Sequence, residues 1–288
     1  MPDWLFDLTV LQVLGFLLVV FMGGTWLGAL LVRPFLLRLA VRQADWNSVV
    51  SAVLSCFGVF YGLLLGLLAV AAYENRNGVE DVVTREALYL LGFYGDLEVS
   101  YPPEEAQELR LLLREYVEAT IQKDWPSQSR GGIPRAGSAV ILRINKRLRS
   151  FEPSNDRERL VHENVLQSWD HPRELRRQRM YAVSTGLPDI LWYVVLIGAV
   201  LTIVFICLFD LDFRSILFLS GLLSFFMATV IGVILVLDRP LQGPRAVTPQ
   251  PFEMMLERVM KPGTTLEQQA AEQLGTDAKG DRSILENP

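Results

Sequence analysis

Four stretches of this chain contain no Asp, Glu, Lys, Arg or His: Leu8–Val32, Trp46–Tyr73, Ile190–Phe209 and Ser215–Leu237. Each is 20 to 28 residues long, and a helix needs about 20 residues to cross the ~30 Å hydrocarbon core of a bilayer. Within lipid, every backbone N–H and C=O must be paired inside the segment, so runs of this kind span as helices. Four of them in 288 residues predict an all-α integral membrane protein. The first run follows the acidic leader MPDWLFD, whereas a cleaved signal opens on a basic one. It is therefore read as a span, with Trp4 and Phe6 as interfacial anchors.

The intervals between the runs set the organisation. Residues 1–73 form a first transmembrane hairpin, with spans at about 8–32 and 46–73. Residues 190–237 form a second, with spans at about 190–209 and 215–237. A helical polar domain, 74–189, is inserted between them, and an extended tail, 238–288, follows, expected to lack order beyond about 262. Near the membrane, the side that holds both termini and the inserted domain carries Arg76, Arg85, Arg173, Arg176, Arg177, Arg179, Arg239 and Arg245. The other carries Arg33, Arg38, Arg42 and Arg214. That excess predicts that the inserted domain and both termini are cytoplasmic. The two cysteines, Cys56 and Cys207, fall inside spans and lack the spacing of a disulfide framework or a zinc site.

The inserted domain reads as helices. Val79, Val83, Ala87, Leu90, Tyr94 and Leu97 recur at helical spacing and follow the second span without a proline, so that helix is expected to leave the bilayer intact. YPP at 101–103 ends it, and Pro103 suits the first turn of the next helix, with Glu104 and Glu105 at its positive end. Leu109, Leu112, Leu113, Tyr116, Val117 and Ile121 supply that helix's apolar stripe. WPSQSRGGIPRAGS, 125–138, is rich in turn residues and reads as a loop. Val140, Ile144 and Leu148 mark a third helix. A fourth starts near Ser154 as N-cap and is expected to be interrupted at His171 and Pro172.

Charge divides this domain. Residues 74–125 hold twelve acids and five bases; residues 130–179 hold twelve bases and six acids. Two readings stand: the halves pair across a helical bundle or between subunits, or each is a solvated face of little energetic consequence. Glu86, on an apolar-striped helix, is either a buried carboxylate held by an arginine or an ordinary surface glutamate. The segment as a whole is close to neutral, which argues against nucleic acid as a partner.

Small residues form stripes in the spans. The second carries Ser51, Ser55, Gly58, Gly62 and Gly66; the fourth carries Ser220, Ser224, Ala228 and Gly232; the first has Gly24 and Gly28. Lipid removes the hydrophobic drive between helices, and small residues then mark faces where backbones approach closely. These faces serve either packing within one four-helix subunit, or an oligomer or narrow path lined by small residues. Glu74, Asn75 and Arg76 cap the glycine-striped helix and are the candidate pore-mouth residues. Charges otherwise gather at span edges, at Asp189, Asp210, Asp212, Arg214, Asp238 and Arg239. None lies deep in a span, where ion-coupled transporters place theirs. His162 and His171 are nine residues apart and do not match an i, i+4 metal pair. No nucleophile elbow, phosphate loop or CxxC pair is present, so no catalytic residue, metal or cofactor is expected.

FYGLLLGLLAVAAYEN (60–75) with REA (85–87), EYVEATIQKDWP (115–126), LPDILWYVVLIGAVLTIVF (187–205), and LDRPLQG (237–243) leading into VTPQPF (247–252) together resemble the bacterial bestrophin-like domain family. The resemblance covers about residues 55 to 255, in order. It implies kinship with bestrophins, which are pentameric anion channels with four spans, a helical cytosolic domain and a second helix lining the pore. By that likeness the chain is expected to be a homo-oligomer in the cell's inner membrane, with the second span lining an ion path. The other reading is a non-conducting membrane scaffold or sensor whose helical domain binds a partner.

Overall fold

The computed structural model describes residues 9–35, 45–183, 185–243 and 245–260. Trp4, Phe6, Arg38, Arg42 and the tail beyond 262 lie outside the described residues, and so do the expectations made for them. Among the described residues the structure is helical, without strands. Four helices, Val10–Phe35, Trp46–Ser100, Asp189–Cys207 and Phe213–Asp238, are long and apolar enough to cross a membrane. The chain divides into two compact units. A membrane unit comprises the described residues of Met1–Val79 and Ser184–Val247, and a helical unit those of Glu80–Val183 and Thr248–Pro288.

In the membrane unit, α1 (Val10–Leu27) starts on a capping box. The Thr9 hydroxyl accepts from Gln12 N, and the Gln12 side chain accepts from Thr9 N, which satisfies two end groups that the helix itself cannot pair. A π-helical turn, Gly28–Val32, follows. Helix α2 is a single rod of 55 residues, Trp46–Ser100, on the order of 80 Å long at 1.5 Å per residue. No bilayer core accommodates that length, so α2 runs from the first unit into the second as its uninterrupted apolar spacing predicts. It stops where Pro102 and Pro103 forbid continuation. Its first turn is tied to the loop after α7 by Trp46 Nε1 donating to Leu208 O at 2.8 Å and by Asn47 exchanging hydrogen bonds with the Asp210 backbone.

Helices α7 (Asp189–Cys207) and α8 (Phe213–Asp238) complete this unit. Asp212 caps α8, accepting from Ser215 N and Ser215 Oγ. All four spans contribute to one apolar core. Val13 comes from α1; Tyr61, Leu65, Leu68 and Ala72 from α2; Trp192, Val195 and Ala199 from α7; Met227, Ile231, Ile234 and Leu235 from α8. The i, i+3, i+4 spacing of the α2 set identifies the stripe that α2 turns inward.

The helical unit packs the second half of α2 with α3 (Pro103–Ala119), a π-helical turn (Thr120–Asp124), α4 (Trp125–Ser129), α5 (Ala136–Ser150), α6 (Asp156–Ala182) and α9 (Gln250–Arg258). The expected stripe on α2 is buried from Val79 to Leu97, and Leu109, Leu113, Tyr116, Val117, Val140, Ile144 and Leu148 are buried with it. Three local expectations differ. WPSQS is helix α4, because the π turn carries the chain of α3 onward without a break. Helix α6 is capped by Asn155 rather than Ser154, its side chain accepting from Glu158 N. And α6 passes through Pro172 intact. A mid-helix proline costs ~3 kcal/mol, but Trp169, Pro172, Leu175, Arg176 and Arg179 are all buried, so tertiary packing on both sides holds the helix across it.

Candidate functional site

The inward stripe of α2 is fixed by Tyr61. Its hydroxyl donates to Val195 O at 2.7 Å, and its ring lies against the bare backbone of Gly198 on α7. Phe57 stacks on Tyr61 at 5.5 Å between ring centroids and contacts Phe205 at 5.4 Å. Gly58, Gly62 and Gly66 each stand one position beyond the Phe57, Tyr61 and Leu65 series, about 100° around the helix. They therefore face away from α7 and α8. Ser51, Ser55, Gly58, Gly62 and Gly66 are all exposed, and a methyl group placed on any of the three glycines meets no atom within 4 Å.

The stripe on α8 behaves in the opposite way. Ser220, Ser224, Ala228 and Gly232 are all buried. A methyl on Gly232 would come to 2.5 Å from Leu14 Cδ2 of α1. Ser224 Oγ lies 2.6 Å from Thr25 Oγ1 of α1. Thr25 directs its own proton to Phe21 O at 2.6 Å, so Ser224 is the donor in that pair. The structure thus separates two stripes that look alike in sequence. The stripe on α8 is closed within the chain, and that on α2 is open. An 18-residue apolar window of α2 is only 17% buried within the chain, against 44% for α8.

The three residues capping α2's apolar run do not act as one group. Glu74 is exposed, whereas Asn75 and Arg76 are partly covered. Arg76 Nε donates to Arg245 O at 3.4 Å, and Arg76 borders a cavity walled by α1 and α8. Glu74 is two positions back, about 200° around the helix, and points away from that cavity.

A second constellation lies wholly inside the helical unit. Glu86 and Arg179 are both fully buried. Arg179 Nε donates to Glu86 Oε2 at 2.7 Å, its Nη2 to Glu86 Oε1 at 3.0 Å, and its Nη1 to Gln128 Oε1 at 2.6 Å. Tyr116 Oη donates to Glu86 Oε1 at 2.8 Å. Beside it, Arg176 Nη1 donates to Asp124 Oδ2 at 3.1 Å and its Nη2 to Ser138 Oγ at 2.9 Å. Asp124 also accepts from Gly137 N at 3.2 Å. A Cβ on Gly137 would stand 2.6 Å from that carboxylate, so a glycine is required for the approach. Arg179 further stacks over Trp125 and Phe252, 5.1 and 5.6 Å from their ring centres, in cation–π geometry.

Burial lowers the Arg179 pKa, but the adjacent Glu86 charge and hydrogen bond outweigh it, and the net shift is upward. Burial and then the Glu86 charge push the Tyr116 hydroxyl up to about 12. The acidic and basic halves therefore do pair across the bundle, and Glu86 is the buried carboxylate held by arginine. Arg143–Glu115 and Arg147–Glu108 add half-exposed pairs. Sequence reasoning missed Asp124, Gln128 and Arg176 as members, although the helical spacing of Trp169, Arg176 and Arg179 was available as a signal. Among the described residues, no group of three His, Cys, Asp or Glu side chains is placed to hold a metal ion.

Fold and site together define a four-span, all-helical membrane protein with a helical unit built around buried ion pairs. A family model, the bestrophin-like domain, matches residues 19–252, and the chain belongs to that family. No curated protein matches it. Among solved structures it is similar to a bacterial bestrophin homologue from Klebsiella pneumoniae. One structure of that homologue is 13% identical, with 88% of this chain and 98% of the other covered and a TM-score of 0.61. Another is 12% identical over 86% and 97%, with a TM-score of 0.62. A third is 12% identical over 91% and 98%, with a TM-score of 0.56. At these identities the likeness is one of fold.

Proposed function

We propose that this chain is the subunit of a homo-oligomeric ion channel of the inner membrane, pentameric and anion-conducting by analogy with bestrophins. In this reading α2 lines the path with Ser51, Ser55, Gly58, Gly62 and Gly66. Glu74 and Asn75 stand where α2 leaves the bilayer toward the cytoplasmic, helical unit. The observation that carries the reading is the contrast between stripes. Small residues on α8 are used up against α1, while the glycines on α2 face open space among the described residues. A glycine-rich wall suits a narrow path because it removes side-chain bulk and leaves backbone groups to meet the ion.

The test is oligomeric state in mild detergent, by light scattering, together with chloride flux from liposomes holding the purified protein. A multimer that carries flux is expected. Gly62→Leu, which places a branched side chain on the open stripe, is expected to cut flux at least tenfold. Phe218→Leu, on an exposed face of α8, is expected to leave it unchanged. A monomer without flux sinks the channel and leaves the non-conducting scaffold, whose helical unit binds a partner, as the surviving account.

A further inference from the structure

A cation and an apolar cavity meet where the first span ends. Helix α1 does not run straight into Arg33. The π-helical turn Gly28–Val32 intervenes, and Arg33 N donates to Gly28 O, five residues back. One extra residue in a turn rotates everything after it by about 100°. Here it brings Arg33 to the loop between α7 and α8, where Arg33 Nη2 donates to Leu211 O. The Arg33 charge also acts on Cys207, the last residue of α7.

The partner that Arg33 finds in this loop is neutral. Asp210 and Asp212 flank Leu211 in the chain, but among the described residues Arg33 pairs with no carboxylate, and Asp212 gives both its oxygens to Ser215. Arg33 Nε is buried and has no acceptor. A buried N–H left without a partner is costly, and a guanidinium at the end of a span calls for a counter-charge. Guanidinium is also the side chain best matched to phosphate oxygens.

Beside it lies a cavity of about 300 Å³, walled by Leu27, Gly28 and Leu31 on one side and by Val200, Ile203 and Cys207 of α7 on the other. That volume is at the lower end of the ~300–1,000 Å³ range of small-molecule sites. A methyl on Gly28 would stand 3.2 Å from Ile203 Cγ2, so the two helices nearly touch there and the cavity runs along their contact. From Cys207 to Val200 is about 10 Å at 1.5 Å per residue, which carries the cavity from the level of Arg33 into the hydrocarbon layer. Leu27, Leu31 and Val200 are exposed, so it opens sideways toward lipid. No charged side chain lines it.

We infer that this cavity holds an acyl chain of an anionic phospholipid whose phosphate rests on Arg33. An inorganic anion would leave the apolar walls unused. A zwitterionic lipid would bring a second cation to a site that already has one. The inference holds for a conducting and a silent chain alike.

Native mass spectrometry of the full chain, released from detergent and titrated with dioleoyl phosphatidylglycerol, dioleoyl phosphatidylcholine or inorganic phosphate, tests it. Phosphatidylglycerol is expected to bind at least fivefold more tightly than phosphatidylcholine. Arg33→Gln is expected to weaken phosphatidylglycerol binding about fivefold and so to erase most of that preference. Arg33→Lys, which keeps the charge and loses Nε, is expected to retain the preference. Val200→Trp, which fills the cavity from an exposed position and leaves Arg33 in place, is expected to weaken phosphatidylglycerol binding at least threefold. Equal binding of the two lipids by the unaltered chain overturns the inference. So does an unchanged affinity in either Arg33→Gln or Val200→Trp, or displacement of phosphatidylglycerol by equimolar inorganic phosphate.

Discussion

Replacing Glu86 by Gln tests whether the helical unit depends on its buried ion pair. The substitution conserves shape and removes one charge. One of the two oxygens that accept from Arg179 at 2.7 and 3.0 Å becomes an NH2 donor and the other stays a neutral acceptor, so Arg179 keeps one bond to residue 86 and its bond to Gln128 but loses its counter-charge, and Tyr116 faces an amide in place of a carboxylate. Both members of the pair are fully buried, so water cannot take the lost partner's place. Stranding one charge of a buried pair costs about 3–5 kcal/mol, or on the order of a hundred- to several-thousandfold in the unfolding equilibrium. Urea unfolding of the full chain in detergent, followed by tryptophan emission, measures it, since Trp125 lies against Arg179 and Trp169 packs on Phe93 in the same core. The double variant Glu86→Leu with Arg179→Met removes both charges and is expected to be less destabilised than the sum of the single variants by about 2 kcal/mol or more. A cost below about 1 kcal/mol for Glu86→Gln, the range of exposed pairs, would refute the reasoning. So would strict additivity in the double variant.

Two further outcomes follow from the geometry. Gly198→Ala drives a methyl into the Tyr61 ring, 2.8 Å from Cζ, and the ring cannot withdraw without giving up its bond to Val195 O. A loss of about 1–3 kcal/mol is expected, read as a lower thermal midpoint in detergent. Gly62→Ala meets open space and is expected to leave that midpoint unchanged or raised, so equal drops in the two variants would contradict the assigned faces. In the helical unit, His162 Nδ1 lies 2.6 Å from Tyr101 Oη, and burial lowers the imidazole pKa from its ordinary 6.5. The unfolded chain then binds the proton more readily. The stability this group contributes is complete above pH ~6.5 and is lost as pH falls through the depressed folded value. Thermal midpoints between pH 8 and 5 should show that fall, and His162→Gln should remove it.

The spans were legible because a bilayer reads length and charge directly, and the faces of α3 and α5 because their apolar spacing is regular. What escaped was decided by contacts between distant residues. Pro172 looks like a helix end until Trp169 and Leu175 are seen buried on either side of it. WPSQS looks like a loop because proline and serine are turn residues, yet Pro126 sits in the first turn of α4, where a missing N–H costs nothing. Arg176 and Arg179 read as part of a basic run that helps orient the protein. Their burial depends on Asp124 and Glu86 arriving from 52 and 93 residues away, which no local pattern records.

The small-residue stripes show the same limit from the other side. Composition makes α2 and α8 equivalent, and only the register between helices distinguishes them. The bond between Thr25 and Ser224 and the seat of Leu14 at Gly232 account for the bare backbone of α8 within one chain. Nothing among the described residues does so for Gly58, Gly62 and Gly66. Each costs a helix in water about 1 kcal/mol against alanine. Under the proposed function, a stripe that touches no neighbour among the described residues has its reason outside the chain. A second copy pressed against α2, or an ion moving along it, would each supply that reason. A subunit that remained monomeric in lipid and carried no ions would leave those three residues without one.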